Sequence, residues 1–415
     1  MRKVLLSMVF ALAGAITYAG GYRVGVQGQR ALAMGHTGVA VVNSAELGFF
    51  NPAGLVYLEN RLTVSAGVSA VFSEVAWQNE EWGESARTDN PAGTPFYFNA
   101  SYKLNENLAV GLSIYTPYGS TVKWEEDWAG SHLVNDIELQ AIYIQPLISY
   151  KVADFLSVGG GPIFVTGSVN FNRNLSRTLT DIDGNRANVT VDASGVNEWG
   201  WSAGALFTAT EDFRIGINYR SEIIMNAEDG DADFENIPNT PLAPFSDTTF
   251  DAQLPLPAEL TVGLSYQLNE KWLLAFDYNR TFWGVYEALD IEFANGVVSE
   301  NARNYEDANT WRFGAQYEAT DKLTLRAGYY LDESPVQEGY FAPETPRNDS
   351  MGFTAGLSLD VTSRLAIDAS FAYVRFDEVD ASYDYYVDEN NQTVPFGGTY
   401  KSVAFIPGIG VTYKL

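Results

Sequence analysis

Cysteine is absent from the 415 residues, so neither disulfide bonds nor thiol chemistry holds or drives this chain. Only two histidines occur, His36 and His132, far apart in the sequence, which excludes a histidine-rich metal centre. Basic residues are scarce: 25 Lys and Arg stand against 52 Asp and Glu, for a net charge of −27. Such a surface repels nucleic acid and argues against a polyanionic ligand. Beyond the N-terminus no segment offers 18 consecutive apolar residues, so any membrane crossing must be made by strands. Missing as well are Gly-x-Ser-x-Gly, His-Glu-x-x-His and a phosphate-cradling glycine loop. A hydrolase would need a histidine beside a nucleophile, and neither histidine is so placed. No enzyme activity, metal or cofactor is expected.

What is present begins with an export signal. Arg2 and Lys3 precede an apolar run from Val4 to Ile16, and Thr17-Tyr18-Ala19 supplies small residues at −3 and −1 of a cleavage point. The run is too short to cross a ~30 Å hydrocarbon core as a helix. Residues 1–19 therefore read as a signal peptide, with the mature chain starting at Gly20.

A short phrase then recurs six times: an aromatic or apolar strand end, a tight polar turn, and a new alternating strand. It occurs at Tyr102–Leu108, Tyr150–Phe155, Phe207–Phe213, Tyr266–Trp272, Tyr317–Leu323 and Leu359–Leu365. Between these turns the chain runs out and back through longer, more acidic segments. Short turns at one end and long loops at the other describe an all-β, outer-membrane barrel of antiparallel strands. Period-two alternation predicts strands over 61–75, 94–104, 107–116, 134–151, 154–172, 188–209 and 212–226. It continues over 249–267, 271–288, 304–318, 322–331, 349–360, 364–378 and 399–414. Fourteen is an even number, as a closed bacterial barrel requires. Residues 20–60, rich in Gly and Ala and with little alternation, stand apart as a small N-terminal domain, and 61–415 form the transmembrane barrel. Many of the Tyr and Trp residues lie near strand ends, where amphipathic rings suit a membrane interface. The competing reading at this level is a soluble secreted β-protein.

The clearer strands assign faces. Trp272, Leu274, Phe276 and Tyr278 alternate with Leu273, Ala275, Asp277 and Asn279; Trp311 and Phe313 alternate with Arg312 and Gly314. A charged side chain facing lipid near the midplane costs about 2–4 kcal/mol for Arg or Lys. Arg214, Asp277, Arg312, Glu318, Arg326 and Asp368 are therefore expected in the lumen, pairing across strands or holding a plug. Loop segments carry Glu228, Asp229, Asp231, Asp233, Glu235 and Asp247, and later Asp380, Asp384, Asp388 and Glu389, without basic partners. They read as solvated surface, or as groups bridging divalent cations to lipid headgroups. Asp181-Ile-Asp183-Gly184-Asn185 resembles the start of a calcium loop but lacks the distal Glu, and an Asp-Gly hairpin explains it better. Residues 117–134, with Tyr118, Trp124, Trp128 and His132, read as an amphipathic lid over the extracellular mouth, or a plain aromatic rim.

Several blocks in order are similar to the FadL/OmpP1/TodX family of outer-membrane transporters for long-chain fatty acids and other hydrophobic compounds. They are Gly21-Tyr22-Arg23, Ala31–Gly38, Asn51-Pro52-Ala53, Leu254–Leu260, Asp332–Val336 and Pro346–Asp349. The resemblance covers essentially the whole mature chain. It implies a fourteen-stranded barrel plugged by an N-terminal hatch, ligand capture among extracellular loops, a deeper pocket, and a kinked third strand that opens a lateral portal. By position it implies that Tyr22 touches ligand and that Asn51, Pro52 and Ala53 face the kinked strand, 107–116, where Gly111 and Pro117 would relax the ladder. Tyr118, Trp124 and Trp128 would belong to the capture loop. Two departures stand out. The fifth strand has Thr166 where well-studied members place an arginine for the ligand carboxylate, with Arg173 further along, and the chain ends on Leu415, with its aromatic at Tyr413.

The expected function is passive uptake of long-chain fatty acids or other hydrophobic small molecules, with lateral release through the wall. A polar-solute porin and a surface adhesin or structural barrel are the alternatives. Expected partners are outer-membrane lipid, lipopolysaccharide and, during biogenesis, the barrel-assembly machinery, with the protein acting as a monomer.

Overall fold

The computed structural model describes residues 21–239, 245–388 and 392–415; the expected signal peptide, 1–19, lies outside them. Fourteen antiparallel strands form one closed barrel. In chain order they are β1 (Leu62–Ser69, resumed as Phe72–Asn79), β2 (Phe96–Asn105), β3 (Leu108–Lys123), β4 (Asp136–Ala153) and β5 (Leu156–Asn174). Next come β6 (Asn188–Thr208), β7 (Phe213–Arg220 and Ile223–Glu235), β8 (Thr248–Leu256 and Glu259–Asn269) and β9 (Trp272–Thr281). The ring finishes with β10 (Ala308–Thr320), β11 (Leu323–Asp332), β12 (Ser350–Asp360), β13 (Leu365–Phe376) and β14 (Phe396–Lys414). Each strand pairs with the next, and β14 returns to β1 through Val64↔Tyr413 and Ala66↔Val411.

The recurrent turns have a chemical basis. Asn269 Oδ1 accepts from the backbone amides of Lys271 and Trp272 at 2.9 and 3.1 Å. Thr362 Oγ1 does the same for Arg364 and Leu365 at 3.2 and 3.0 Å. Short polar side chains that reach their own backbone fix each tight reversal. Alternation sets the faces: Trp272 and Leu274 are exposed on the outer wall, whereas Asp277 and Asn279 are fully buried inside. Arg312, Arg326 and Asp368 are buried too, while Glu318, close to a periplasmic turn, is exposed.

Departures from simple alternation occur where side chains have long-range tasks. The strand expected over 271–288 leaves the ladder after Thr281, because Trp283 and Tyr286 turn inward onto Tyr22. That expected over 249–267 breaks at Pro257-Ala258, where proline supplies no N–H. The acidic stretch expected as loop between 225 and 250 is strand at both ends, since β7 runs to Glu235 and β8 starts at Thr248.

Residues 21–58 pack inside the ring with little regular structure: α1 (Gln29–Leu32), α2 (Leu47–Phe50) and a 3-10 turn, Pro52–Tyr57. Inward-facing glycines let their backbone approach the wall. A Cβ on Gly328 of β11 would lie 2.0 Å from Gly35 N, and one on Gly216 of β7 would lie 2.3 Å from Val39 O. Polar contacts fix the same segment to strands around the ring. Arg30 Nε pairs with Asp368 Oδ1 at 3.0 Å, Gly35 N donates to Thr354 Oγ1 at 2.8 Å, and Gly38 N donates to Asp277 Oδ2 at 2.7 Å.

Candidate functional site

The wall changes character at β3. Pairing with β4 slips between Tyr115↔Tyr143 and Tyr118↔Ala141, so Thr116 and Pro117 together oppose one residue, a β-bulge. On the other side β2 follows β3 only as far as Tyr97↔Tyr115. Contact resumes where Asp89 N donates to Lys123 O at 2.8 Å. Between these points, among the described residues, no backbone hydrogen bond joins 91–95 to 116–122. Pro91, Pro95 and Pro117 border this window and supply no amide hydrogen to close it.

The first residues of the N-terminal segment expected as a hatch, 21–58, lie against the window from inside. Val24 N donates to Pro117 O at 2.8 Å, and Gly119 N donates to Tyr22 O at 3.1 Å. Gln27 Nε2 donates to Thr116 O at 2.9 Å. The arm thus satisfies carbonyls freed by the bulge, which is what a buried backbone group requires. Tyr22 is buried, donates its hydroxyl to Pro255 O, and meets Trp283, Tyr286 and Tyr118 at ring-centroid distances of 4.8, 5.6 and 6.0 Å.

Between arm and wall is a cavity of about 450 Å³. Val24, Val71, Val374 and Ile406 give it apolar surface, and His36 and Arg312 line it as well. Its charges are unevenly matched. Arg23 donates to Glu259 Oε2 (3.3 Å), Asn279 Oδ1 (2.5 Å), Thr310 Oγ1 (2.8 Å) and Asp332 Oδ1 (2.9 Å). Glu259 is held by Arg220 too, at 3.3 Å. Asp277 faces Arg312 across the β9–β10 ladder, yet its Oδ2 accepts from the hatch amides of Gly38 and Val39 at 2.7 and 3.2 Å. Arg312, only 6 % exposed, is left without a hydrogen bond or ion pair among the described residues. His36 is also buried, and neither ring nitrogen has a partner. A buried guanidinium beside a cavity, with its neighbouring carboxylates engaged elsewhere, is chemically suited to an anionic group.

Several expected positions differ in place. Tyr118 is not part of a loop: β3 continues to Lys123, and Tyr118 is buried, its hydroxyl positioned to donate to Pro257 O (3.0 Å) or Glu259 Oε1 (3.2 Å). The expected lid over 117–134 shrinks accordingly to the residues after β3. Trp124 and Trp128 are there, but as buried partners stacked at 4.1 Å and packed with Trp77, Phe396 and Tyr400, not as an exposed rim. Gly111 sits in unbroken pairing with Ser101 and Leu147, and a Cβ there would lie 3.0 Å from hatch residue Leu55. The ladder gives way at Thr116-Pro117 instead, because a bulge and a proline disrupt pairing more than a glycine does. Asn51 donates to Val39 O (2.9 Å) and Ala205 O (3.0 Å), and Ala53 O accepts from Ser149 and Ser157. Pro52 and its neighbours therefore face β4–β6 rather than β3. Arg173, the cation expected nearest the fifth-strand position, hydrogen-bonds Ser299 and takes no place in the cavity lining.

Sequence reasoning put Arg312 in the lumen but did not single it out, and it missed Arg23 and His36 as cavity residues. The signal available was alternation, which gives a face and not a partner.

The family model described as outer membrane protein transport protein (OMPP1/FadL/TodX) matches residues 10–415. The 47 kDa outer membrane protein of Pasteurella multocida is 24 % identical over 99 % of this chain and 98 % of its own length. The long-chain fatty acid transport protein of Escherichia coli is 22 % identical over 97 % and 98 %. Among solved structures, a Pseudomonas aeruginosa FadL homologue superposes with a TM-score of 0.82 at 19 % identity, covering 95 % of this chain and 99 % of its own. The Pseudomonas putida toluene transporter TodX gives a TM-score of 0.72 at 17 % identity, covering 96 % and 99 %. With a closed fourteen-stranded barrel and a family match along nearly its whole length, this chain belongs to the OMPP1/FadL/TodX family of outer-membrane transport proteins.

Proposed function

We propose that the chain carries long-chain fatty acids and related amphiphiles passively, and releases them sideways into the outer membrane through the β3 window. The observation that carries this reading is the unpaired Arg312 guanidinium in a cavity with apolar walls beside a break in the barrel. A carboxylate at Arg312 would be held by charge-assisted hydrogen bonds, while the acyl chain lies along the valine-rich side. Burial of that chain contributes roughly 25 cal/mol per Å² removed from water. Tyr22 does not line this cavity, being packed among Trp283, Tyr286 and Tyr118, and would meet the chain only once the arm has shifted. Release requires only that the arm shift from Pro117–Gly119, because the window has no ladder of its own. A porin would need an open lumen where residues 21–58 pack.

The fatty-acid transport name of the Escherichia coli relative and the toluene transport title of the Pseudomonas putida structure bracket the cargo classes. Arg312 favours the acid. Arg312→Gln should lower labelled-oleate uptake by roughly 10- to 100-fold, the range implied by losing a charged hydrogen bond of about 1.5–3 kcal/mol. Arg312→Lys should retain part of the uptake, and toluene uptake should be unchanged in both variants. Oleate uptake at the wild-type rate in Arg312→Gln would remove the carboxylate from this site.

A further inference from the structure

The β3 window has a counterpart elsewhere in the wall. Strands β6 and β7 pair from Ser202↔Arg220 to Thr208↔Arg214 near the periplasmic end, and again from Asp231↔Asp192 to Glu235↔Asn188 at the top. Ser221 N donates to Trp201 O at 2.9 Å, and there the ladder stops. From 193–200 on one side and 222–230 on the other, among the described residues, no backbone hydrogen bond crosses. Both strands stay paired on their other flanks, to β5 and β8, each with one bulge, at Gly195 and at Glu228-Asp229. The break is therefore a slit between two ordered strands.

Side chains alone close it. Ile223 lies over Gly200, where a Cβ would come within 2.5 Å of Ile223 Cδ1. Asn226 Nδ2 donates to Glu198 Oε1 at 2.5 Å across the gap. Inside, Val196, Ile223 and Met225 belong to the same packed cluster as Tyr22, Tyr143, Leu256 and Tyr286. Outside, Trp199 and Trp201 are 67 % and 50 % exposed. Eight residues separate Phe207, at the periplasmic turn, from Trp199; at about 3.3 Å per residue and a tilt of about 40° this climbs roughly 20 Å. The slit thus opens near the outer girdle of the barrel, where the bilayer's outer leaflet meets it.

An unladdered edge facing lipid is unfavourable unless something fills or uses it. We propose that the β6–β7 slit is a second side opening, which admits neutral apolar molecules between the outer leaflet and the aromatic cluster around Tyr22. Charge selects the occupant. Glu198, Glu222, Glu228 and Asp229 border the slit and disfavour a carboxylate, in contrast to Arg312 behind the β3 window. The inference rests on the reading of this protein as a carrier of hydrophobic compounds, and divides that cargo by charge between two openings.

Two measurements test it. In bilayers containing a photoreactive diazirine hydrocarbon, the unmodified protein should be labelled on residues 193–200 and 222–230. Because the chain has no cysteine, Glu198→Cys with Asn226→Cys provides a single reversible bridge over the slit. Its oxidation should lower toluene uptake severalfold, reductant should restore it, and oleate uptake should be unaffected. Absence of label from both segments, or toluene uptake at the reduced rate in the oxidised pair, overturns the opening. If the slit is labelled but the unmodified protein transports neither toluene nor oleate, the opening stands and the carrier reading falls.

Discussion

The hatch meets the barrel in two different ways. From Gln29 to Tyr57 its backbone lies directly on the wall, with glycines where side chains would collide, as at Gly328 against Gly35 N. Its polar groups there pair with β4–β6, β9, β12 and β13, through Ser149, Ala205, Asp277, Thr354 and Asp368. From Tyr22 to Gln27 the contact is made mainly by side chains: besides two backbone hydrogen bonds, the Tyr22 ring and hydroxyl, the Gln27 amide and the Arg23 and Arg347 guanidinium groups hold an arm on a strand that is itself bulged. The first region closes by fit and the second by a latch. Fit is lost only by separating whole surfaces, whereas a latch is lost by moving a few side chains. On the proposed function, a passage would be cheaper to open sideways at the arm than downward through the seat.

The strongest way to break this contrast is to spoil the fit. Gly328→Val would place its Cβ against backbone, not a movable side chain, and overpacking of this kind costs about 1–3 kcal/mol or more. The hatch should unseat while the barrel still assembles. Planar-bilayer recordings should then show conductance to small ions, and a variant as tight as wild type would refute closure by fit.

Breaking the latch should have a large local effect. Arg23→Gln removes the cation shared by Glu259 and Asp332, and because Glu259 keeps Arg220 the cost should fall below the roughly 3–5 kcal/mol of a fully orphaned buried charge. Hydrogen exchange at the amides of Val24 and Gly119 should accelerate, with those of Gly35 and Gly38 unchanged. Equal acceleration at all four would mean that arm and seat move as one body.

Asn51→Ala sharpens the comparison on the fitted side. It removes donors to Val39 O and Ala205 O, a loss of about 1–3 kcal/mol for buried groups left unpaired. Exchange should quicken around Ala53 and Leu55 without affecting the arm.

The smallest effect concerns the outer cap. Burial, and then Arg177 and Arg173, lower the His132 pKa from 6.5 to about 3, so the packed cap holds a neutral ring. An opened cap binds the proton more readily; cap stability is thus level above about pH 6.5 and is lost as pH falls toward 3. Tryptophan emission from the Trp124–Trp128 stack should report this loosening, and His132→Phe should remove it.

Much of the architecture is legible in the order of the residues. Asn269 and Thr362 act within their own turns, and Asp277 and Arg312 alternate with apolar neighbours, so turn positions and strand faces are local properties. The positions of the openings are not legible in the same way. Gly111 and Pro117 look alike as weak points, but only the register of β4 shows that the ladder slips at Thr116-Pro117 and holds at Gly111. Gly195 and Gly200 mark 193–200 as irregular, Gly195 bulging at φ 68°, but neither tells that pairing to β7 is lost there while pairing to β5 persists.

Residue order alone makes this chain an outer-membrane protein, β in class and built to cross a membrane with fourteen strands, because those traits follow from composition, turn chemistry and a period of two. Tertiary structure decided which charges are free. Asp277 and Arg312 face each other across neighbouring strands, and pairing between them is the natural expectation. Residues some 240 positions earlier overrule it: the amides of Gly38 and Val39 take the carboxylate, and the guanidinium is left facing the cavity. A hydrogen bond between segments so distant in the chain depends on how the hatch seats, which no local pattern encodes.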